Sequence, residues 1–172
     1  MYRPSRDQVV PVTSLPACAT GAPIPLVLAD EHRTFVAYYA RVHDWHDPQA
    51  WERLPISAPQ KEPVVLLEFV GCYAHLFGPP NDEAFSGHPL ASRGLQPYGM
   101  AEVRHSSWIA ELENMNSVHP YHRPEEFRDR RHFILPFHDS TFECIAEAVN
   151  MHLHRGSVHS GILGAVALLR GA

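Results

Sequence analysis

The sequence predicts an α+β domain with a mostly antiparallel sheet of five or six strands and a few short helices. Short apolar runs rich in branched and aromatic residues recur along the chain and are separated by segments bearing Pro, Gly and Asp, a pattern typical of strands. These runs do not alternate with helical patterns as they would in a parallel sheet. With 172 residues, of which 45% are hydrophobic and 19% charged, the chain is long enough to bury one substantial core.

The domain organisation follows from the distribution of proline. Residues 1–23 carry four prolines separated by small residues, so we expect an extended amino-terminal arm lying on the surface. Residues 24–172 contain no second composition boundary or internal repeat, and they are predicted to form a single α+β domain.

The first elements of this domain are predicted to be a hairpin and a short helix. Residues 25–30 and 34–42 are strand-like runs, and the polar connection at residues 30–33 favours a hairpin. A short helix is predicted to begin at Asp47 and Pro48, since aspartate is a common cap and proline is favoured in the first turn.

The central part of the chain is predicted to hold the most apolar strand and the longest loop. Residues 64–77 form an apolar run in which Gly71 suggests a bulge or a sharp bend. Residues 79–99 are rich in proline and glycine, and irregular segments of this length are often functional. Residues 100–104 read as a further strand.

Two short helices are predicted next. Ser106 or Ser107 can cap the first helix, and its buried face is expected to carry Trp108, Leu112 and Met115. The second helix begins at Pro124.

The carboxyl-terminal third is predicted to hold a hairpin and a closing helix. Residues 131–144 form an apolar run that breaks on polar residues, and Pro136 within it favours an edge position or a bulge. Residues 142–154 fit a strand that returns across residues 139–140, with a helix as the alternative. Residues 157–169 are predicted to be an apolar helix.

Composition limits the classes of partner. A formal charge of −5 without a basic stripe argues against nucleic acid as a partner, and the longest apolar run, residues 161–169, is too short to span a bilayer. The three cysteines are an odd number at unrelated spacings, which suits a reducing compartment, so we expect a cytoplasmic protein.

His138, Asp139 and Glu143 are the predicted catalytic residues. An imidazole beside two carboxylates at a strand end can support general acid–base chemistry, although Asp139 is also an ordinary turn residue. Cys144 lies nearby, but a buried thiol without an oxyanion-binding signature is a less favoured nucleophile.

Basic residues in and near the 79–99 loop are the predicted substrate-binding residues. His88, Arg93 and Arg104 could hold an anionic group, and Asp82 or Glu83 could act as a base if the loop closes over a pocket. The alternative is an ordered surface loop held in place by its prolines.

A divalent metal is the predicted candidate cofactor, because thirteen histidines raise the expectation of a metal site. His119 and His122 are the candidate ligands, with Glu102, His88 or His138 as a third. The alternative is a surface turn, since no H-E-x-x-H pattern is present.

Other patterns carry less weight. His152 and His154 would share one face of a strand, which suits a metal but is also an ordinary polar stripe. The absence of phosphate-binding glycine patterns, a G-x-S-x-G turn and C-x-x-C pairs argues against nucleotide-dependent, hydrolase-fold and zinc-ribbon proteins.

These features favour a small cytoplasmic enzyme that acts on a polar small molecule through a His/Asp/Glu acid–base site, with or without a metal. The alternative is a non-enzymatic binding or interaction protein. Three tryptophans and six tyrosines could build an interface, and the apolar carboxyl-terminal segment would suit a homodimer.

Overall fold

The computed structural model describes residues 6–41 and 62–170, which form two antiparallel sheets and two helices, so the predicted α+β class is confirmed. The strands are β1 (Gln8–Pro11), β2 (Leu26–Ala29), β3 (Arg33–Tyr39), β4 (Glu62–Val70), β5 (Ala74–Gly78), β6 (Ala101–Arg104), β7 (Arg131–Pro136), β8 (Thr141–Ala146) and β9 (Ala148–Gly156). The α-helices are α1 (Ser107–Asn116) and α2 (Val158–Arg170), and three short 3-10 turns lie at Phe85–Gly87, Ala91–Arg93 and Pro124–Phe127.

The main core lies between the two sheets. One sheet has the strand order β1-β6-β7-β8-β5 and the other β2-β3-β4-β9. Phe69 of β4 contacts Phe133 of β7 and Phe142 of β8, with ring centroids 5.6 and 5.3 Å apart. All three rings are fully buried, so the facing strands are joined by a buried aromatic contact.

The outer faces of the sheets are covered by different elements. Helix α2 packs Val158 and Ala165 against Phe35 and Leu66 of the four-stranded sheet. The apolar face of this helix is therefore used within the chain. No helix among the residues that the structure describes is long and apolar enough to cross a membrane.

The 79–99 segment and α1 cover the outer face of the five-stranded sheet. Leu90 and Leu95 from this segment pack on Val103 and Ile134 from the sheet. The segment has only 3-10 turns, so it is irregular as predicted. It is nevertheless well packed, since Leu90 and Leu95 are almost fully buried.

Several predicted elements are confirmed. The β2–β3 hairpin forms, and the Asp30 carboxylate accepts hydrogen bonds from the backbone N–H groups of His32 and Arg33 at 2.8 and 2.6 Å. Helix α1 begins where expected, with Ser106 as its cap. A 3-10 turn begins at Pro124, and α2 covers the predicted closing helix.

The structure describes part of the predicted amino-terminal arm but not the predicted helix at Asp47. Within the segment predicted as an arm, Gln8–Pro11 forms β1 and pairs with β6 at the edge of the five-stranded sheet. The division into an arm and a domain stays a prediction. The helix expected at Asp47 lies outside the described residues.

The apolar run at residues 64–77 bends at Gly71, as predicted, but it forms two strands in different sheets. Gly71 has a φ of +60°, and the chain turns there from β4 into β5. A bulged residue often lets a strand pass from one sheet to another. A second crossing lies beside it, where β8 ends and β9 begins around Glu147. Residues 142–154 are therefore strands, and the helical alternative is wrong.

Two local predictions are wrong. Pro136 is not on an edge strand, because β7 lies between β6 and β8; its missing N–H is tolerated because it is the last residue of β7. Met115 does not lie on a buried face, since 65% of it is exposed. Helix α1 contacts the sheet mainly through its first turn, where Trp108 is buried.

We predict that Gly71→Ala destabilises the protein by about 1–2 kcal/mol, which is the cost of a left-handed backbone for a residue with a Cβ atom. An added Cβ would also lie 2.6 Å from Cδ of Glu147, although that side chain can move aside. Urea unfolding measures the change. Gly21→Ala is the matched control, because nothing lies within 4 Å of its added Cβ. Equal losses in both variants would contradict this account of the bend.

Candidate functional site

A group of buried polar side chains lies on the outer face of the five-stranded sheet. In β7 and β8 the side chains alternate, so Phe133 and Phe142 point into the main core while His132 and Glu143 point away from it. His88 reaches the same place from the 79–99 segment. His132 is fully buried, and His88 and Glu143 are each only 6% exposed.

These side chains form a continuous hydrogen-bonded chain that ends at Ser106. Oε1 of Glu143 lies 3.2 Å from Nε2 of His88, and Oε2 lies 3.1 Å from Nε2 of His132. Nδ1 of His132 lies 2.9 Å from Oγ of Ser106. We call Ser106, His132, Glu143 and His88 the buried relay.

A backbone N–H fixes the direction of the hydrogen bond between His88 and Glu143. The N–H of Leu90 donates to Nδ1 of His88 at 3.1 Å, so the proton of His88 is on Nε2 and is donated to Glu143. The N–H of Ile109 donates to Oγ of Ser106 at 3.2 Å, and the serine hydroxyl can donate its own proton to Nδ1 of His132. With this polarity, His132 also donates from Nε2 to Glu143, and the carboxylate accepts from both imidazoles.

Ser106 lies at a sharp turn between β6 and α1. His105 before it has a φ of +54°, an uncommon conformation for a residue other than glycine. Ser106 is the cap of α1, and the fully buried carboxylate of Asp7 accepts hydrogen bonds from the backbone N–H and hydroxyl of Ser107 at 2.6 and 2.8 Å. These contacts hold the first turn of α1 against the amino-terminal segment.

Two cavities lie along α1, and the larger of them includes this turn. The larger has a volume of about 1120 Å³ and is lined by Arg6, Gln8, His105, Ser106, Ser107, Ile109, Ala110, Glu111, Glu113, Asn114, Phe127, Arg128 and Arg130. The smaller, of about 430 Å³, is lined by Tyr73, Asn116, His119, Tyr121, Arg123, Glu126, Phe127 and Arg130. The buried relay therefore connects an interior carboxylate with a serine in the wall of the larger cavity.

The predicted catalytic residues lie in two separate networks. His138 and Asp139 lie on the exposed turn between β7 and β8, with Nδ1 of His138 2.9 Å from the Asp139 carboxylate. Nε2 of His138 lies 3.9 Å from the Asp82 carboxylate, which also accepts a hydrogen bond from the Tyr98 hydroxyl. Glu143 instead belongs to the buried relay. We call His138, Asp139, Asp82 and Tyr98 the His138 cluster.

Charge and hydrogen bonding shift the pKa values of the His138 cluster. The hydrogen bond from Tyr98 lowers the pKa of Asp82, and the same bond raises the pKa of Tyr98 to about 12. The hydrogen bond to Asp139, with added attraction from Asp82, raises the pKa of His138. Protonated His138 is thus favoured by two neighbouring carboxylates.

The predicted substrate-binding residues are dispersed. His88 belongs to the buried relay. Nε of Arg93 donates to the backbone oxygen of Asp7 at 3.0 Å, and Arg104 is exposed at the end of β6. His88 therefore contacts a predicted catalytic residue, Glu143, but the two arginines do not join it.

The predicted metal ligands are engaged locally. Nδ1 of His119 accepts from the N–H of Tyr121 at 3.2 Å, and Nδ1 of His122 lies 3.2 Å from Nδ2 of Asn116. Within residues 6–41 and 62–170, no group of three or more His, Cys, Asp or Glu side chains is arranged to hold a metal ion.

Three other residues considered from the sequence also have local partners. His152 lies 3.5 Å from the Glu68 carboxylate, and His154 lies 2.7 Å from the Ser160 hydroxyl. Burial raises the pKa of Cys144 well above its ordinary value, so its reactive thiolate form is disfavoured.

Sequence reasoning did not identify His132 and Ser106 as site residues. Ser106 was recognised only as a helix cap. His132 lies in the same strand as Phe133 and Leu135, and a polar residue on the non-core face of a strand is usually solvent-exposed. The useful signal was the two-residue periodicity, which places His132 on the face opposite Phe133, where Glu143 also lies across the β7–β8 hairpin.

We predict that the titration midpoint of His138, measured by NMR of its ring protons, lies above 6.5, its ordinary value. Asp139→Asn should lower this midpoint because it removes the largest cause of the shift, whereas Glu31→Gln on a different turn should not. A raised pKa in the folded state means that His138 stabilises the protein at low pH, and that this contribution disappears as the pH rises through its midpoint. An unchanged midpoint in Asp139→Asn would reject the assigned cause.

No protein-family model matches the chain, and no curated protein or solved structure gives a significant match to it. The chemistry of the buried relay and of the His138 cluster is therefore inferred from distances, burial and hydrogen-bond partners.

Proposed function

We propose that the protein is an enzyme that hydrolyses a small polar ester or related acyl compound in the larger cavity. Ser106 is the nucleophile, His132 its general base, and Glu143 orients His132. The observation that carries this proposal is the hydrogen-bonded chain from Glu143 through His132 to a serine in a cavity wall. A nucleophile, a base and a third group that orients the base are the parts of a catalytic triad.

The reaction proceeds through two transfers at Ser106. Its Oγ attacks the substrate carbonyl carbon while the hydroxyl proton passes to Nδ1 of His132, which returns that proton to the leaving alcohol. Water then attacks the acyl-serine ester and gives a proton to His132. Cleavage of the ester releases the acid, and His132 returns the proton to Ser106. Glu143 stabilises the positive charge that His132 carries during both transfers.

Burial supports a role beyond helix capping. A cap requires only that the Ser106 hydroxyl accept from Ile109, and it does not require an imidazole and a carboxylate behind it. Removing a carboxylate from water costs free energy unless hydrogen bonds compensate for it, and each oxygen of Glu143 lies within hydrogen-bond distance of an imidazole. His88 acts as the second donor that holds Glu143 in place.

The His138 cluster provides the competing acid–base site. It is exposed, contains an imidazole between two carboxylates, and includes His138 and Asp139 as predicted from the sequence. It does not line either described cavity. For this reason the buried relay is the better-supported site, and alanine at His138 separates the two.

We predict that a fluorophosphonate probe labels Ser106 covalently, with loss of fluoride, and that Ser106→Ala abolishes the label. His132→Asn and Glu143→Gln should slow labelling by roughly 100-fold or more, because general-base assistance is worth about that much. Mass spectrometry of digested protein locates the label.

Ser140→Ala is the matched serine control, and circular dichroism verifies that each variant is folded. His138→Ala should label at the normal rate. Absence of label on Ser106 in the folded wild-type protein would reject the proposal, and loss of labelling in His138→Ala would favour the His138 cluster instead.

A second candidate function, an interaction protein, is favoured by the exposed edge of the five-stranded sheet. Strand β5 pairs with β8 and ends the sheet, and Leu76 and Phe77 on it are each 45% exposed. Its five residues include no Asp, Glu, Lys or Arg, so two copies can pair edge to edge without repulsion between such charges. The partner would be a second copy of this chain.

We predict for this candidate that light scattering after gel filtration detects a dimer, and that Leu76→Lys converts it to a monomer. Leu163→Lys, at an exposed position on α2, is the control and should remain dimeric. A wild-type protein that stays monomeric over a hundredfold concentration range would exclude pairing through β5.

A further inference from the structure

Arg130 lies where the two cavities meet, because it lines both of them. Its guanidinium carbon lies 4.2 Å from the centroid of the Tyr73 ring and 5.4 Å from that of Phe127. One of its terminal N–H groups donates to the backbone oxygen of Gly71 at 3.4 Å. Two aromatic rings and a carbonyl therefore fix the position of this cation.

Arg130 differs from two other arginines in lacking an acidic partner. Arg33 lies 3.8 Å from the Glu68 carboxylate, and Arg131 forms an ion pair with Glu102. Among the described residues, no carboxylate lies within 4 Å of the Arg130 guanidinium, and its Nε is buried without a hydrogen-bond partner. A held guanidinium without a counter-ion is suited to bind an anion from solution.

The smaller cavity combines this charge with flat aromatic surfaces. Tyr121 is 82% exposed, and Tyr73 is 44% exposed although Arg130 covers one face of its ring. The cavity wall also holds Arg123 and His119, with Glu126 as its carboxylate. This composition favours a planar ligand that carries negative charge.

We propose that the smaller cavity binds the planar, carboxylate-bearing end of the substrate through Arg130, while the bond to be cleaved lies near Ser106 in the larger cavity. The placement of the scissile bond near Ser106 rests on the proposed hydrolytic function. A carboxylate can accept two parallel hydrogen bonds from a guanidinium, which selects it over a neutral group of the same shape. The substrate class is then an ester of a small aromatic or similarly planar acid that retains a free carboxylate.

The test compares benzoate with its neutral isostere benzamide in ligand-observed NMR titrations. The wild-type protein should bind benzoate about tenfold more tightly at low salt, a ratio equivalent to one charge-assisted hydrogen bond. Arg130→Gln should remove this preference. Arg170→Gln, at the exposed end of α2, should retain it, because that residue lines neither cavity.

The same titration on Ser106→Ala separates this inference from the proposed reaction. Binding does not need the nucleophile, so the preference for benzoate should persist in Ser106→Ala. Equal affinity for the two compounds, no detectable benzoate binding, or an unchanged preference in folded Arg130→Gln would each overturn the inference. Failure of the fluorophosphonate to label Ser106 would instead count against hydrolysis and leave the anion site standing.

Discussion

The alternation of side chains along β7 and β8 is the constraint on which most of this structure depends. Because successive residues point to opposite faces, Phe133 and Phe142 meet Phe69 of the other sheet while His132 and Glu143 are placed together on the outer face. A shift of one residue in the pairing would move the phenylalanines out of the core and the ionisable pair into it. The aromatic core thus fixes the register, and the register assembles the relay.

The relay in turn depends on elements distant in the chain. His88 comes from an irregular segment, and Ser106 from the start of a helix, so neither is positioned by the β7–β8 hairpin itself. Apolar contacts of Leu90 with the sheet and the capping bond of Ser106 bring them to it. All the polar groups buried in this way need hydrogen-bond partners, because leaving one without a partner would lower the free energy of unfolding by about 1–3 kcal/mol.

Much of the fold was predictable because it is encoded locally. The Asp30 carboxylate accepts a backbone hydrogen bond in the turn between β2 and β3, Ser106 caps α1, and Gly71 allows the bend between β4 and β5. Each of these residues acts within a few positions of its own place in the chain. The division of the strands between two sheets is harder to predict, because one apolar run can cross from one sheet to the other without a change of composition.

The candidate site was only partly predictable. The pairing of His138 with Asp139 follows from adjacency, whereas the pairing of Glu143 with His88 joins residues 55 positions apart. Such contacts depend on how the folded chain brings distant segments together, and this cannot be read from a single sequence. The same holds for Arg130, whose aromatic neighbour Tyr73 comes from the turn before β5.

The bend at Gly71 has a consequence for how the protein unfolds. Strands β4 and β5 pair with β9 and β8 respectively, so two chain segments remain hydrogen-bonded as a single ribbon that passes through both sheets. At the bend, the N–H of Glu147 still donates to the oxygen of Val70, and that of Tyr73 to Ile145. Neither sheet can open fully without breaking the ribbon that supports the other. The two sheets are therefore linked into one unit, in which the opening of β4 is coupled to the opening of β8.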